Sequence, residues 1–275
     1  PDFDGYFAAL HRELEAAAPL LGKRPADTVF FGGGTPSLTP PALIGALLEH
    51  LDALGALGAD AEITLETNPG TVDLGHLPGY RAAGVNRLSL GVQSFDDGAL
   101  ARLGRIHDGV TATRALTAAR AARFRAVNVD LMHGLPGQGA ASAREDLARA
   151  LDEGVDHVSW YQLTIEPNTR FHAAPPTLPD EDALAAIEAT GAACLTAAGL
   201  ERYEVSAWGR PGTRCRHNLN YWRFGDYLGL GAGAHGKLST ADPGAPGGLH
   251  VERRRNVRRP EGYLRAVDPC VAREP

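Results

Sequence analysis

The sequence predicts an α/β fold with a parallel sheet, either an open doubly wound sheet or a (βα) barrel. Short apolar or alternating runs recur along the chain, and each is followed by a longer stretch at helical spacing. Polar residues stand at the carboxyl ends of five successive runs, which is where parallel α/β folds build their sites. Five strands that deliver polar groups to a common rim favour the barrel.

The predicted elements alternate in order along the chain. The strands are Thr28–Phe31, Ala61–Thr67, Arg87–Val92, Val127–Met132 and His157–Thr164, followed by the weaker Arg202–Ala207 and Tyr227–Leu230. The helices are Tyr6–Ala18, Pro41–Leu54, Leu74–Ala83, Gly109–Arg123, Ala141–Glu153 and Pro179–Ala198. The chain opens on a helix, whereas a closed barrel would need a strand before it. Residues 1–239 are expected to form this core, and residues 240–275 a loop and an exposed basic extension.

Composition excludes several classes of protein. The chain has 275 residues, of which 44% are hydrophobic, with 27 basic and 33 acidic side chains and a net charge of −6. No apolar run approaches the length of about 20 residues that a membrane helix needs, and the N-terminus lacks the pattern of a signal peptide. The acidic balance gives no reason to expect nucleic-acid binding. Three distant cysteines without CxxC spacing indicate a reducing compartment, which we expect to be the cytoplasm.

Two motifs follow the first two strands. The segment FGGGTPS places Gly33, Gly34 and Thr35 after an apolar strand, where glycine lets the backbone approach a ligand closely. It is neither a Walker loop nor a G-x-G-x-x-G motif, so a plain strand-to-helix turn is an equal alternative. Glu66, in ETNPGT, could bind an ammonium group or ribose hydroxyls, or serve only as a helix cap or ion-pair partner.

Three further polar residues stand on successive units of the predicted barrel. Gln93, Arg105 and Asp130 are an amide, a guanidinium and a carboxylate that together could hold a zwitterion, because arginine binds carboxylates in a bidentate manner. Arg105 and Asp130 could equally form a structural salt bridge with each other. Their spacing does not decide between the two.

The segment HNLNYW concentrates His217, Tyr221 and Trp222 in a region expected to be a loop. Imidazole is an axial ligand of haem iron, and aromatic faces stack on porphyrins. A buried loop in which Trp222 anchors the packing is the structural alternative. The other histidines show no zinc-site spacing, and no G-x-S-x-G elbow is present.

Taken together, these segments resemble one family, the HemW haem chaperones, which are radical S-adenosylmethionine (SAM) proteins related to oxygen-independent coproporphyrinogen III oxidase. The resemblance runs in order from about Val29 to Lys237, and it rests on the segments FFGGGTPSLTP, ETNPGT, GVNRLSLGVQSFDD, LGRIHDG, NVDLMHGLPGQ, WYQLTIEPNT and HNLNYWRFGDYLGLGAGAHG. It implies a partial (βα)6 barrel with its cofactor at the carboxyl rim of the strands. The first strand of that barrel is expected to be missing from this chain.

The resemblance also implies roles for individual residues. Those matched to SAM contacts are Gly33, Gly34, Thr35, Glu66, Gln93, Arg105, Asp130 and, more loosely, Thr164. Those matched to haem contacts are His217, Asn218, Tyr221 and Trp222. His217 is then the candidate axial ligand of the haem iron.

The chain departs from the family pattern in its cysteines. The family's CxxxCxxC segment, which binds a [4Fe–4S] cluster, would precede the first helix, and Cys194, Cys215 and Cys270 cannot replace it. We therefore expect the chain to be a fragment that lacks this segment and a C-terminal domain, with natural loss of the cluster as the alternative.

Three functions remain open at this point. The first is a haem chaperone that binds haem and passes it to recipient haem proteins, a role that allows peripheral membrane contact through such a partner. The second is an oxygen-independent coproporphyrinogen III oxidase, a radical SAM enzyme that decarboxylates propionates. The third is a SAM- or nucleotide-binding barrel of other purpose. HNLNYW, which the resemblance links to the chaperones, favours the first.

Overall fold

A computed structural model describes residues 2–22, 24–72, 74–244 and 246–274. The α-helices are α1 Phe3–Ala17, α2 Pro41–Ala53, α3 Leu77–Ala82, α4 Asp97–Arg102, α5 Gly109–Ala121, α6 Ala140–Asp152, α7 Arg170–Ala173, α8 Glu181–Ala197, α9 Arg216–Trp222 and α10 Pro260–Arg265. The strands are β1 Ala26–Phe31, β2 Leu57–Thr67, β3 Arg87–Gln93, β4 Ala126–His133, β5 His157–Gln162, β6 Glu201–Arg202, β7 Ala207–Gly209, β8 His235–Ala241, β9 Leu249–Asn256 and β10 Cys270–Glu274.

Within the described residues, seven strands form one sheet in the order β1-β2-β3-β4-β5-β7-β6. Strands β2 to β5 pair in parallel, and β7 runs antiparallel to both β5 and β6. A mostly parallel sheet whose strands alternate with helices along the chain confirms the predicted α/β class. The five main strands lie where the sequence predicts them, with ends that shift by a few residues.

The chain separates into two compact units. The core unit comprises residues 30–38 and 63–215, and the terminal unit comprises residues 1–29, 39–62 and 216–275. The boundary that the sequence analysis expects between residues 239 and 240 stays a prediction.

The strands of the core unit have the alternation typical of a sheet, with apolar side chains on one face and polar side chains on the other. On β4, Val127, Val129 and Leu131 are buried, and the intervening Asn128 and Asp130 point to the other face. Helix α5 begins where Asp108 accepts a hydrogen bond from the backbone N–H of Thr111 at 2.7 Å, a side-chain cap of the kind that acidic residues supply.

In the terminal unit, β8, β9 and β10 form an antiparallel sheet in the order β10-β9-β8. The expectation of a loop and an exposed basic extension over residues 240–275 is therefore wrong for the described part of that segment. Arg253 and Arg255 are exposed on the central strand β9, and its last residue, Asn256, is buried. The strand is rich in charged residues and lacks alternating apolar residues, so its sequence pattern does not predict a strand.

Two weaker strand predictions are also wrong. Arg202–Ala207 is split into β6 and β7 by a turn, in which the N–H of Tyr203 donates to the carbonyl of Ala207 at 3.1 Å. Tyr227–Leu230 makes only an isolated bridge from Tyr227 to Lys237, in a segment rich in glycine. Glycine weakens regular strands because it has more conformational freedom to lose.

Candidate functional site

The turn after β1 begins the candidate site in the core unit. Gly33 has a φ of +101°, a left-handed conformation that favours glycine, and Thr35 precedes a short 3₁₀ turn over Pro36–Leu38. The backbone N–H of Gly33 donates to the carboxylate of Glu66, which lies near the end of β2. This hydrogen bond connects the glycine turn to Glu66. The ends of β1 and β2 therefore lie together and can form one side of a ligand-binding rim.

Glu66 and Asp130 are two carboxyl groups that affect each other. Burial raises the pKa of Glu66 above its ordinary value, and the charge of Asp130 raises it further, against the hydrogen bond from Gly33. Burial also raises the pKa of Asp130. Two partly desolvated carboxylates that repel each other attract a cation, because a positive group between them relieves both penalties.

Asp130 is held by donors from its own strand β4 and from the neighbouring strand β3. Its Oδ1 accepts from the amide nitrogen of Asn128 at 2.8 Å, and its Oδ2 accepts from the hydroxyl of Ser89 at 3.2 Å. The Asn128 amide nitrogen also donates to the Ser89 hydroxyl at 2.7 Å. The bonds from Asn128 and Ser89, and the nearby hydroxyl of Ser159, act against the effect of burial on the pKa of Asp130. The carboxylate is thus fixed in orientation.

Gln93 ends β3 in an unusual conformation. Its φ is +71°, and the register with β4 is irregular between Leu90 and Gln93. Its side chain is only 4% exposed, and its Oε1 accepts from the hydroxyl of Tyr161 at 2.6 Å. Burial raises the pKa of Tyr161 to about 12. Tyr161 is a neighbour that the sequence analysis did not identify.

The loop after Gln93 is held by buried polar contacts. Asp146, on α6, accepts from the hydroxyl of Ser94 at 2.8 Å and from the backbone N–H of Phe95 at 2.7 Å. On the other side, the Nε2 of His107 lies 3.0 Å from the carbonyl of Val92, so this nitrogen carries the proton and donates. Such contacts offset the strain that a positive φ costs a non-glycine residue.

Arg105 and Thr164 make no side-chain hydrogen bond or ion pair with this cluster among the described residues. Arg105 makes no ion pair with Asp130 among the described residues, so the structural salt bridge left open above does not form. The charge of Arg105 nonetheless opposes the rise that burial causes in the pKa of Tyr161. Thr164 lies in the loop beyond β5, is exposed, and donates to Glu166 at 3.3 Å. Of the predicted rim residues, the structure therefore joins Gly33 to Glu66 and places Asp130 close enough to Glu66 for their charges to interact.

The HNLNYW segment lies in the terminal unit, and it is helical. The expectation of a loop is wrong, because the segment forms helix α9. The backbone N–H groups of Arg216 and His217 donate to one oxygen of Glu62, at 2.9 and 3.3 Å. A carboxylate is favourable at the positive N-terminal end of a helix. The sequence does not reveal this partner, because it lies over 150 positions away.

The aromatic residues of α9 are unusually exposed. Tyr221 is 47% and Trp222 59% exposed, and Phe224, just beyond the helix, is 60% exposed. The ring of His217 packs edge-on against Tyr221 with centroids 4.9 Å apart. Burial lowers the pKa of His217 to about 4. The imidazole is therefore neutral near pH 7, which is the form that coordinates metals.

A buried lysine holds the segment that follows α9. Lys237 is 2% exposed, and its Nζ donates to the carbonyl of Phe224 at 2.9 Å and to Oδ1 of Asp226 at 3.0 Å. The same nitrogen lies 4.1 Å from the centre of the Phe224 ring. Phe224 has a φ of +56°, so these contacts hold a strained residue beside the exposed aromatic surface.

Comparison with known proteins identifies the class. A family model described as "Radical SAM superfamily" matches residues 3–151. A solved structure titled "Coproporphyrinogen III oxidase (HemN) from Escherichia coli is a Radical SAM enzyme" superposes with a TM-score of 0.80 at 26% sequence identity, over 99% of this chain and 64% of that chain. The chain therefore belongs to the radical SAM superfamily and has its partial-barrel fold, as predicted.

Two curated relatives narrow the assignment. "Heme chaperone HemW" of Escherichia coli is 48% identical over 95% of this chain and 68% of that protein. The protein of the same name from Haemophilus influenzae is 46% identical over 93% of this chain and 65% of that protein. The chain belongs to the HemW family, and it spans about two thirds of the length of these relatives.

The superfamily implies SAM and a [4Fe–4S] cluster. The rim fits SAM, since it combines carboxylates of raised pKa, Glu66 and Asp130, with a glycine turn that leaves open space where side chains would stand at Gly33 and Gly34. The cluster does not fit the described part of the chain, where no group of three histidine, cysteine or acidic residues could hold a metal ion. The three cysteines are unbridged. In addition, no helix among the described residues is long and apolar enough to cross a membrane.

Proposed function

We propose that this chain is the SAM-binding and haem-binding part of a haem chaperone, which accepts haem and passes it to recipient haem proteins in the cytoplasm. The observation that carries the proposal is the 48% identity, over 95% of the chain, to a protein named as a haem chaperone. The exposed aromatic surface of α9 supports it independently, because contiguous apolar surface of this kind marks binding sites.

The haem site in this proposal is built on α9. His217 supplies a neutral imidazole as axial ligand of the iron, and Tyr221 and Trp222 cover a face of the macrocycle, with Asn218 beside them. Haem is the cargo, so its site must also release it. A surface helix with half-exposed aromatic residues suits a ligand that is handed on better than a closed pocket does.

The SAM site in this proposal is the rim of the core unit. Glu66 and Asp130 accept hydrogen bonds from the ammonium group or the hydroxyls of SAM, and the backbone of Gly33, Gly34 and Thr35 binds its methionyl end. Gln93, Arg105 and Thr164 complete the set. Bound SAM supplies a reactive sulfonium centre. What this chain's own residues do is bind and orient that molecule.

The alternative function is oxidative decarboxylation of coproporphyrinogen III. The solved oxidase of that name has the same fold at 26% identity. The higher identity to the chaperones and the aromatic helix α9 favour haem transfer. An assay for decarboxylated porphyrin product would have to be positive for the oxidase alternative to replace the proposal.

The test is the kinetic order of haem transfer. The haem-loaded chain is mixed with increasing concentrations of an apo haem protein, and the Soret spectrum of the acceptor is followed. A chaperone that docks with its recipient gives a transfer rate that rises with acceptor concentration. A rate independent of acceptor concentration would mean passive release into solution, and it would contradict the proposal.

A further inference from the structure

A buried chain of hydrogen bonds runs inward from Asp130 within the core unit. Asn128 donates to Asp130 at 2.8 Å, and Oδ1 of Asn128 lies 2.6 Å from Nδ1 of His157. Nε2 of His157 lies 2.7 Å from the hydroxyl of Tyr203. Asn128 is 3% exposed and His157 is fully buried, so water does not compete for these bonds.

Tyr203, at the inner end of this chain of hydrogen bonds, determines which atoms of His157 carry protons. The hydroxyl of Tyr203 accepts from the backbone N–H of Cys215 at 3.1 Å, and its own proton needs an acceptor. The acceptor within reach is Nε2 of His157, which must then carry no proton. Burial lowers the pKa of His157 well below its ordinary value, so the ring is neutral and its single proton is on Nδ1.

This proton position orients the amide of Asn128. A protonated Nδ1 of His157 faces the carbonyl oxygen of Asn128, and the hydroxyl of Ser159 donates to the same oxygen at 3.1 Å. The amide nitrogen is left to face Asp130 and Ser89. If the amide were turned over, its oxygen would face the carboxylate of Asp130, and that carboxylate would be destabilised as an anion.

We propose that His157 is a positioning residue of the SAM rim, which holds the Asn128 amide with its nitrogen toward Asp130 and so keeps Asp130 an ionised acceptor for the ligand. The inference rests on the proposed function in so far as Asp130 binds SAM. His157 itself belongs to none of the motifs matched to SAM, and it acts through Asn128.

Three replacements of His157 distinguish the contact that Nδ1 makes with Asn128 from the contact that Nε2 makes with Tyr203. His157→Asn places an amide nitrogen near the position of Nδ1 and retains a donor to Asn128. His157→Gln reaches toward the hydroxyl of Tyr203 and loses that donor, and His157→Phe loses both contacts. Tyr203→Phe is a milder route, because it retains His157 and removes only the group that directs its proton.

The first measurement needs no ligand. The titration of Asp130 is followed by ¹³C-carboxyl NMR of the aspartate-labelled chain, with the resonance assigned by Asp130→Asn. The groups that face Asp130 besides Asn128 are Ser89 on β3, Ser159 on β5 and, through charge, Glu66, Arg87 and Tyr161. These groups are unchanged in all four variants. A difference between variants in the midpoint of the Asp130 titration therefore reports the orientation of the Asn128 amide.

We expect the midpoint of the Asp130 titration to rise by about one pH unit or more in His157→Gln and His157→Phe. It rises less in Tyr203→Phe, and it stays at the wild-type value in His157→Asn. A midpoint that is unchanged in His157→Gln, His157→Phe and Tyr203→Phe would overturn the proposal.

The second measurement is SAM binding by equilibrium dialysis at pH 7. We expect about tenfold weaker binding in His157→Gln and His157→Phe, and binding within about twofold of wild type in His157→Asn. If the Asp130 titration moves but SAM affinity does not, the positioning role stands and the assignment of Asp130 to SAM fails. If affinity falls with no change in the titration, the loss is general damage to the site and the positioning role is wrong.

Discussion

The hydroxyl of Tyr161 donates to Oε1 of Gln93 at 2.6 Å, and this bond joins β5 to the end of β3. Gln93 is buried with a φ of +71°, a conformation that costs a residue with a side chain about 1 kcal/mol or more. Asp146 on helix α6 stabilises the loop that follows Gln93, since it accepts hydrogen bonds from Ser94 and Phe95. The rim is therefore held in place by contacts formed without any ligand.

Tyr161→Phe tests this contact. The change leaves Oε1 of Gln93 buried without its donor, so we expect the free energy of unfolding to fall by about 1 to 2 kcal/mol. Chemical denaturation measures the change. Tyr221→Phe is the matched control, because its hydroxyl belongs to a half-exposed residue, and it should change stability by less than about 0.5 kcal/mol. Equal effects of the two would show that the Gln93 contact contributes nothing.

Glu66→Gln tests the cost of holding a charged Glu66 in a buried position beside Asp130. The folded-state pKa of Glu66 lies above its ordinary value, so the folded state binds the proton more tightly than the unfolded state does. The wild-type chain should then lose stability from this group as the pH rises from the ordinary carboxyl pKa through the raised one. A neutral glutamine keeps the acceptor for Gly33 and removes that loss.

At pH 7 we therefore expect Glu66→Gln to raise the melting temperature of the ligand-free chain by about 1 to 3 °C and to weaken SAM binding. The gain in stability should vanish near pH 4, where Glu66 of the wild type is itself protonated. A variant that is less stable than wild type at pH 7 would show that the charge of Glu66 is stabilising instead.

Lys237→Met tests the support of the segment after α9. The substitution removes a buried ammonium group from Asp226 and from the carbonyl of Phe224, and we expect a loss of about 2 to 4 kcal/mol in unfolding free energy. Arg24→Ala is the control. Arg24 pairs with the same carboxylate at 3.6 Å, but its side chain is 71% exposed, so its loss should cost less than about 0.5 kcal/mol.

The lowered pKa of His217 predicts an unusual pH range for haem binding. An ordinary histidine is largely protonated at pH 5.5, so the proton competes with iron for its nitrogen, whereas His217, with a pKa of about 4, stays neutral. We expect the Soret maximum of the bound form to be the same at pH 7.5 and at pH 5.5. A loss of the coordinated spectrum with a midpoint near pH 6.5 would contradict this assignment.

Much of the sheet and part of its rim are predictable from the sequence. Glu66 and Asp130 stand out because a carboxylate is unusual within or at the end of an apolar strand. Tyr161 and His157 are missed, although a signal exists. On β5, His157, Ser159 and Tyr161 alternate with buried apolar residues, and this period of two places all three on one face.

The terminal unit is less predictable because its contacts join residues far apart in the chain. Helix α9 is stabilised at its start by Glu62, and Asn256 on β9 donates to Glu13 on α1 at 2.5 Å. Local patterns carry no information about such partners. Where an element's stability comes from distant polar contacts, its own sequence resembles that of a loop.

The most direct test of the central claim is a haem titration of the chain and of His217→Ala, followed at the Soret band. His250→Ala is the control, since His250 is exposed on β9 outside the aromatic helix. We expect saturable binding that is at least about tenfold weaker in His217→Ala, equivalent to about 1.4 kcal/mol, and unchanged in His250→Ala. Equal haem affinity and equal spectra in all three proteins would contradict the assignment of His217 as the iron ligand.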